Sequence, residues 1–110
     1  MRDGKVLLVK DRRARRYSLP GGGMRRREPA VCGAARELYE ELGLEASKVT
    51  RLPECDYGGA LNSHRVCLIE ADGQPILRRL EIESYIWWDL KEPVSILPHV
   101  IVILRKTGLM

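Results

Sequence analysis

The chain has 110 residues, 45% hydrophobic and 31% charged, with a net charge of +4 at pH 7. That length fits one domain spanning residues 1–110, and the apolar fraction can build a core. No run nears the roughly 18 apolar residues of a membrane span, and Arg2, Asp3 and Lys5 interrupt any leader-like start, so no membrane partner is expected.

Asp3-Gly4 reads as a turn and residues 5–10, KVLLVK, as a buried strand. Residues 11–16 are a charged connection, and 17–19 a short extended piece. Pro20-Gly21-Gly22-Gly23 is a loop whose backbone can approach a ligand closely. A helix is expected over residues 29–42, with Pro29 in its first turn and Gly43 just past its end. Its apolar face would be Val31, Ala34, Ala35, Leu38 and Leu42. Further strands are expected near residues 49–57, 65–71 and 84–89, with turns at 56–59 and 72–75. A last helix is expected over residues 97–106, ended by Gly108. Cys32, Cys55 and Cys67 are odd in number and lack metal-site spacing. They read as buried free thiols, which points to a reducing, cytoplasmic setting.

Within the first helix, Glu37, Glu40 and Glu41 are spaced i, i+3, i+4, which puts them on one stripe. This stripe lies largely opposite the apolar face, and Glu40 and Glu41 are expected to be at least partly exposed. Three like charges there oppose helix formation unless something compensates them. A hard divalent cation such as Mg2+ or Mn2+ does so, because it prefers carboxylate oxygens.

The surrounding order is Gly22, five residues, Glu28, seven residues, then Arg36-Glu37-Leu38-Tyr39-Glu40-Glu41-Leu42-Gly43-Leu44. This stretch resembles the Nudix box at every specified position. The resemblance implies an α/β fold, the Nudix-type α/β/α sandwich with a mixed β-sheet. It also implies divalent-metal-dependent hydrolysis of a nucleoside diphosphate linked to another moiety. Glu40 and Glu41 would be the first metal ligands, and Glu37 a further ligand or the group that takes the water proton. Arg36 would orient Glu37, Glu28 would pair with Arg36 or the helix, and a carbonyl of Gly21 or Gly22 would complete the metal shell. Members often add a carboxylate shortly before a late Trp; Glu81 and Glu83, ahead of Trp87, are the candidates. Members also carry a strand before the one at Lys5. That strand is expected to be missing here, and the bare edge to be covered by a second subunit in a homodimer, unless the start is a shortened one.

Arg12, Arg13, Arg15, Arg16, Arg25, Arg26 and Arg27 fall within sixteen residues. They read as a solvated basic loop, as a rim that draws polyphosphate to the carboxylates, or as a weak nucleic-acid patch. Arginine suits phosphate through its bidentate fork. Tyr17 and Trp87 are candidates to stack a nucleobase, although aromatic residues also serve as core. His64 reads as a strand or turn residue, and His99 as a helix residue without a catalytic part. The expected substrate is a nucleoside triphosphate, giving the monophosphate and pyrophosphate. ADP-ribose, dinucleoside polyphosphates and capped RNA share the chemistry. The alternative is a Nudix-like module that binds nucleotide or nucleic acid without cleaving it.

Overall fold

The computed structural model describes residues 1–21, 25–58 and 63–110. In chain order the elements are β1 (Val6–Asp11), α1 (Ala30–Leu42), β2 (Glu45–Arg51), a 3-10 turn (Pro53–Cys55), β3 (Tyr57–Gly58), β4 (Ser63–His64), β5 (Cys67–Asp72), β6 (Ile82–Trp88) and α2 (Pro98–Thr107). β1 pairs antiparallel with β6, β2 with β5, and β3 with β4. The parallel component among the described residues is an isolated bridge between Tyr17 and Ile96.

Side chains of a strand alternate between its faces, so the β1–β6 ribbon presents two apolar surfaces. Leu7 and Val9 meet Leu38 and Leu42 of α1, together with Leu44 and Ile82. Val6 and Leu8 face the other way and meet Trp88 and, on α2, Val100 and Leu104. Helices therefore cover both faces, as the α/β/α sandwich requires. Leu8, Leu42 and Val100 are fully buried; each contributes about 1.5–3 kcal/mol by leaving water. A third cluster, Cys55, Val66 and Ile103, ties the 3-10 turn to α2.

α1 starts one residue later than the sequence implies. Pro29 is its N-cap, extended at φ −60 and ψ 144, and its carbonyl accepts the Gly33 N–H at 2.9 Å. Gly43 ends the helix in the left-handed region, φ 67, and donates to the Tyr39 carbonyl. The strand expected over 49–57 is split. Its ladder begins at Glu45, in a polar run with a register shift between Ala46 and Lys48, and stops at Arg51 before Pro53. Proline has no N–H to continue a ladder. Tyr57-Gly58, read as part of a turn, instead pairs with His64 and Ser63. Met1 and Arg2 are tied to β5: the terminal ammonium donates to the Ile69 carbonyl (2.7 Å) and the Arg2 guanidinium to that of Ala71 (2.6 Å). The cysteines are free, but Cys32 is exposed and Cys67 only half-buried, because Cys32 lies on the solvent side of α1. No described helix is long and apolar enough to cross a membrane.

Candidate active site

The three carboxylates of α1 do not form a solvated stripe. Glu37 is 6% exposed and Glu41 4%; Glu40 alone keeps the expected exposure, at 33% of its side chain. Two distant segments cover them. The Gly21 N–H donates to Glu41 Oε1 at 2.9 Å. Arg79, between β5 and β6, donates to Glu37 Oε2 at 3.0 Å and to Glu40 Oε2 at 2.5 Å. The helical spacing was right and Leu38 and Leu42 are interior as expected, but the buried sector extends to Glu37 and Glu41, because the covering atoms lie far away in sequence.

Arg36 is the hub of the network. Its Nε and Nη2 donate to both oxygens of Glu28 at 2.7 and 2.8 Å, and its Nη1 donates to Glu37 Oε1 at 2.9 Å and Glu40 Oε2 at 3.0 Å. Arg25 adds a bond to Glu40 Oε1 at 3.3 Å, and its backbone N–H donates to Glu28 Oε1. The Arg36 fork, helped by that N–H, holds the Glu28 carboxyl down at about 2. Glu41 moves the other way. Burial pushes it up to about 7; the Gly21 N–H opposes the rise, and the Glu37 charge adds to it.

All four oxygens of Glu37 and Glu40 thus accept guanidinium N–H groups. As they stand, no described group of three acid, His or Cys side chains forms a ready-made cation cage. The donor set nevertheless suits a hard divalent cation: three carboxylates on adjacent turns, one of them buried without an arginine fork. Gly21 is beside them; Gly22 lies outside the described residues.

A cleft of about 940 Å³ opens beside this network. Glu28, Glu37, Arg25 and Arg27 line one part of it, with Trp87, His64 and His99 further along. Its volume is near the upper end for ligand pockets. The His64 and His99 rings stack with centroids 4.6 Å apart.

Other sequence candidates lie elsewhere. Tyr17 packs with the α2-side cluster and hydrogen-bonds Ser84 at 3.3 Å. Glu83 pairs with Lys10 at 3.0 Å, because a bulge opposite Lys10 and Asp11 turns it away from the α1 face. Glu81 is exposed in the turn before β6, where its carbonyl accepts the Arg12 N–H at 2.7 Å. Arg12 also donates to the Leu80 carbonyl, and Arg13 lies beside the same turn. Arg26 is exposed in the turn that precedes Glu28.

The structure adds two groups that sequence reasoning missed. Asp11 lies close enough for its charge to raise the Glu41 carboxyl. Its alternation with Leu7 and Val9 was the available signal. Arg79 gave no local signal.

The NUDIX domain model matches residues 1–104. The chain belongs to the Nudix family. Its structure is similar to the crystal structure of a MutT NUDIX hydrolase from Burkholderia pseudomallei, with 28% identity and a TM-score of 0.75 over 96% of this chain and 90% of that one. It is similar to a putative nudix hydrolase family member from Chromobacterium violaceum, with 33% identity and a TM-score of 0.78 over 98% and 70%. The solution structure of the E. coli ORF135 protein shares the fold at 22% identity, with a TM-score of 0.68 over 97% and 81%. No curated protein matches the sequence. As a Nudix hydrolase, the protein belongs among enzymes that hydrolyse nucleoside diphosphates linked to other moieties and that generally use divalent metals.

Proposed function

We propose that this Nudix hydrolase depends on Mg2+ or Mn2+ and cleaves a nucleoside triphosphate to the monophosphate and pyrophosphate. The observation that carries this reading is the clustering of Glu37, Glu40 and Glu41 on one helix beside a cleft with room for a nucleotide, which Glu37, Arg25 and Arg27 line. A divalent cation held by these carboxylates and the Gly21 backbone would neutralise phosphate oxygens and acidify a water. The remaining work falls to the chain. Glu28 locks Arg36, and Arg36 fixes the orientation of Glu37. Glu28 and Glu37 both line the cleft; Glu28 is locked to Arg36, so the role of taking a proton from a water falls to Glu37. Arg25 and Arg27 favour a highly charged substrate. Trp87 also lines the cleft, with the Arg2 guanidinium 4.8 Å from its ring centroid, and is the candidate to stack a base. Asp11, whose charge reaches Glu41, joins Glu81 and Glu83 as a candidate for a carboxylate contributed from outside the box.

The test is hydrolysis of nucleoside triphosphates, ADP-ribose, dinucleoside polyphosphates and capped RNA with Mg2+, with Glu40→Gln as the blank. Triphosphate cleavage is expected to fall by more than about a hundredfold in Glu40→Gln, with the fold retained, since loss of a ligand should exceed loss of a ligand's supporting contact. Equal turnover in Glu40→Gln, or with a chelator present, would overturn the metal reading. Preferential cleavage of another class would reassign the substrate.

A further inference from the structure

We propose that Arg79 is a built-in stand-in for the divalent cation, a latch on the box carboxylates that must let go before the metal can bind and that then pairs with substrate phosphate. This rests on the metal-dependent reading above. Its guanidinium bridges Glu37 Oε2 and Glu40 Oε2, placing positive charge between two of the carboxylates that would hold a cation. Because every oxygen of Glu37 and Glu40 accepts a guanidinium N–H, a cation coordinating both residues competes with these arginines for the same oxygens.

The contacts single out which arginine yields. Arg36 is 17% exposed and held by a two-pronged bond to Glu28, so it stays. Arg25 is 68% exposed and reaches one oxygen at 3.3 Å, so it holds little. Arg79 covers two carboxylates, and among the described residues its hydrogen bonds go to those carboxylates alone. The backbone beneath it is fixed at both ends. The Ile76 and Arg78 N–H groups donate to the carbonyls of Leu42 and Glu41, which the end of α1 leaves without helical partners. On the other side Arg12 donates to the carbonyls of Leu80 and Glu81. The side chain can swing while its base stays beside the box. A released guanidinium so placed meets phosphate oxygens in the same bidentate manner it used for carboxylates.

The test begins without substrate: Mn2+ titration of the chelator-stripped protein, read by the paramagnetic signal of free Mn2+. Arg79→Ala should bind Mn2+ about three- to tenfold more tightly than wild type, the range expected for removing a half-exposed competing ion pair. Arg79→Lys, which keeps the charge but not the fork, should fall between the two and covers the case that the alanine variant folds poorly. Arg78→Ala removes the same charge from the same segment, where Arg78 lies over the Tyr39 ring, and should leave Mn2+ affinity near wild type. With nucleotide present, Arg79→Ala should show the opposite sign, a KM raised by about tenfold or more. Unchanged or weaker Mn2+ binding in Arg79→Ala would overturn the latch, as would equal tightening in Arg78→Ala. Tighter Mn2+ binding with an unchanged KM would overturn the transfer to phosphate. If neither wild type nor Arg79→Ala binds Mn2+, the metal reading fails together with the latch, a result distinct from loss of the latch alone.

Discussion

Replacing Glu41 by glutamine should make the metal-free protein more stable at pH 8 and leave it little changed at pH 5. The carboxyl is raised from 4.5 to about 7, chiefly by burial. A folded-state value above the unfolded one means that the folded protein binds the proton more tightly. The stabilisation linked to this proton is complete below pH 4.5 and is lost as pH rises through about 7. Full ionisation would cost the fold about 3 kcal/mol. Coupling to Glu37 and Arg79, and relaxation around the charge, reduce the observable to about 1–2 kcal/mol. Glutamine keeps the shape and an acceptor for the Gly21 N–H, and removes the buried charge. In chelator, thermal unfolding of Glu41→Gln should therefore lie about 5–10 °C above wild type at pH 8, for a domain of this size. Saturating Mg2+ should reverse the order, because the cation stabilises only the protein that retains its ligand. A variant no more stable than wild type at pH 8, or one equally stabilised at pH 5, would refute the account of Glu41 as a buried, uncompensated carboxyl.

Two further outcomes follow from particular contacts. Arg25 and Arg27 line the cleft and Arg26 does not, so Arg25→Gln and Arg27→Gln should raise KM more than they lower kcat, with the effect shrinking in added salt; Arg26→Gln should change neither in steady-state assays. Gly43→Ala should cost about 1–2 kcal/mol in urea unfolding, because Gly43 sits at φ 67 and an added Cβ would come within 3.3 Å of the Arg78 side chain; wild-type stability in that variant would show that the left-handed cap is not needed.

What could be read from the sequence was whatever depends on neighbours. The i, i+3, i+4 acid spacing, the end of α1 at Gly43 and the period-2 core of β1 are each decided within one or two turns or residues, and the structure carries them. Glu83 shows where that kind of reasoning stops. Strict alternation would keep its direction in step with Tyr85 and Trp87, but the bulge at the start of β6 breaks the period and turns it to Lys10. A bulge depends on the partner strand and leaves no mark in the sequence of β6 alone. The same limit applies to the site. The burial of Glu41 depends on an N–H twenty residues away, and the compensation of Glu37 and Glu40 on an arginine forty-two and thirty-nine residues away.

This distance also bears on function. The box's own arginines, Arg36 and Arg25, reach Glu37 Oε1 and both oxygens of Glu40, and would leave Glu37 Oε2 open to a cation. Closing it with Arg79 makes the carboxylates dependent on the segment between β5 and β6, which is clamped to the end of the same helix. With this latch, the family's local motif supplies the ligands, and a residue outside the motif sets how readily they become available.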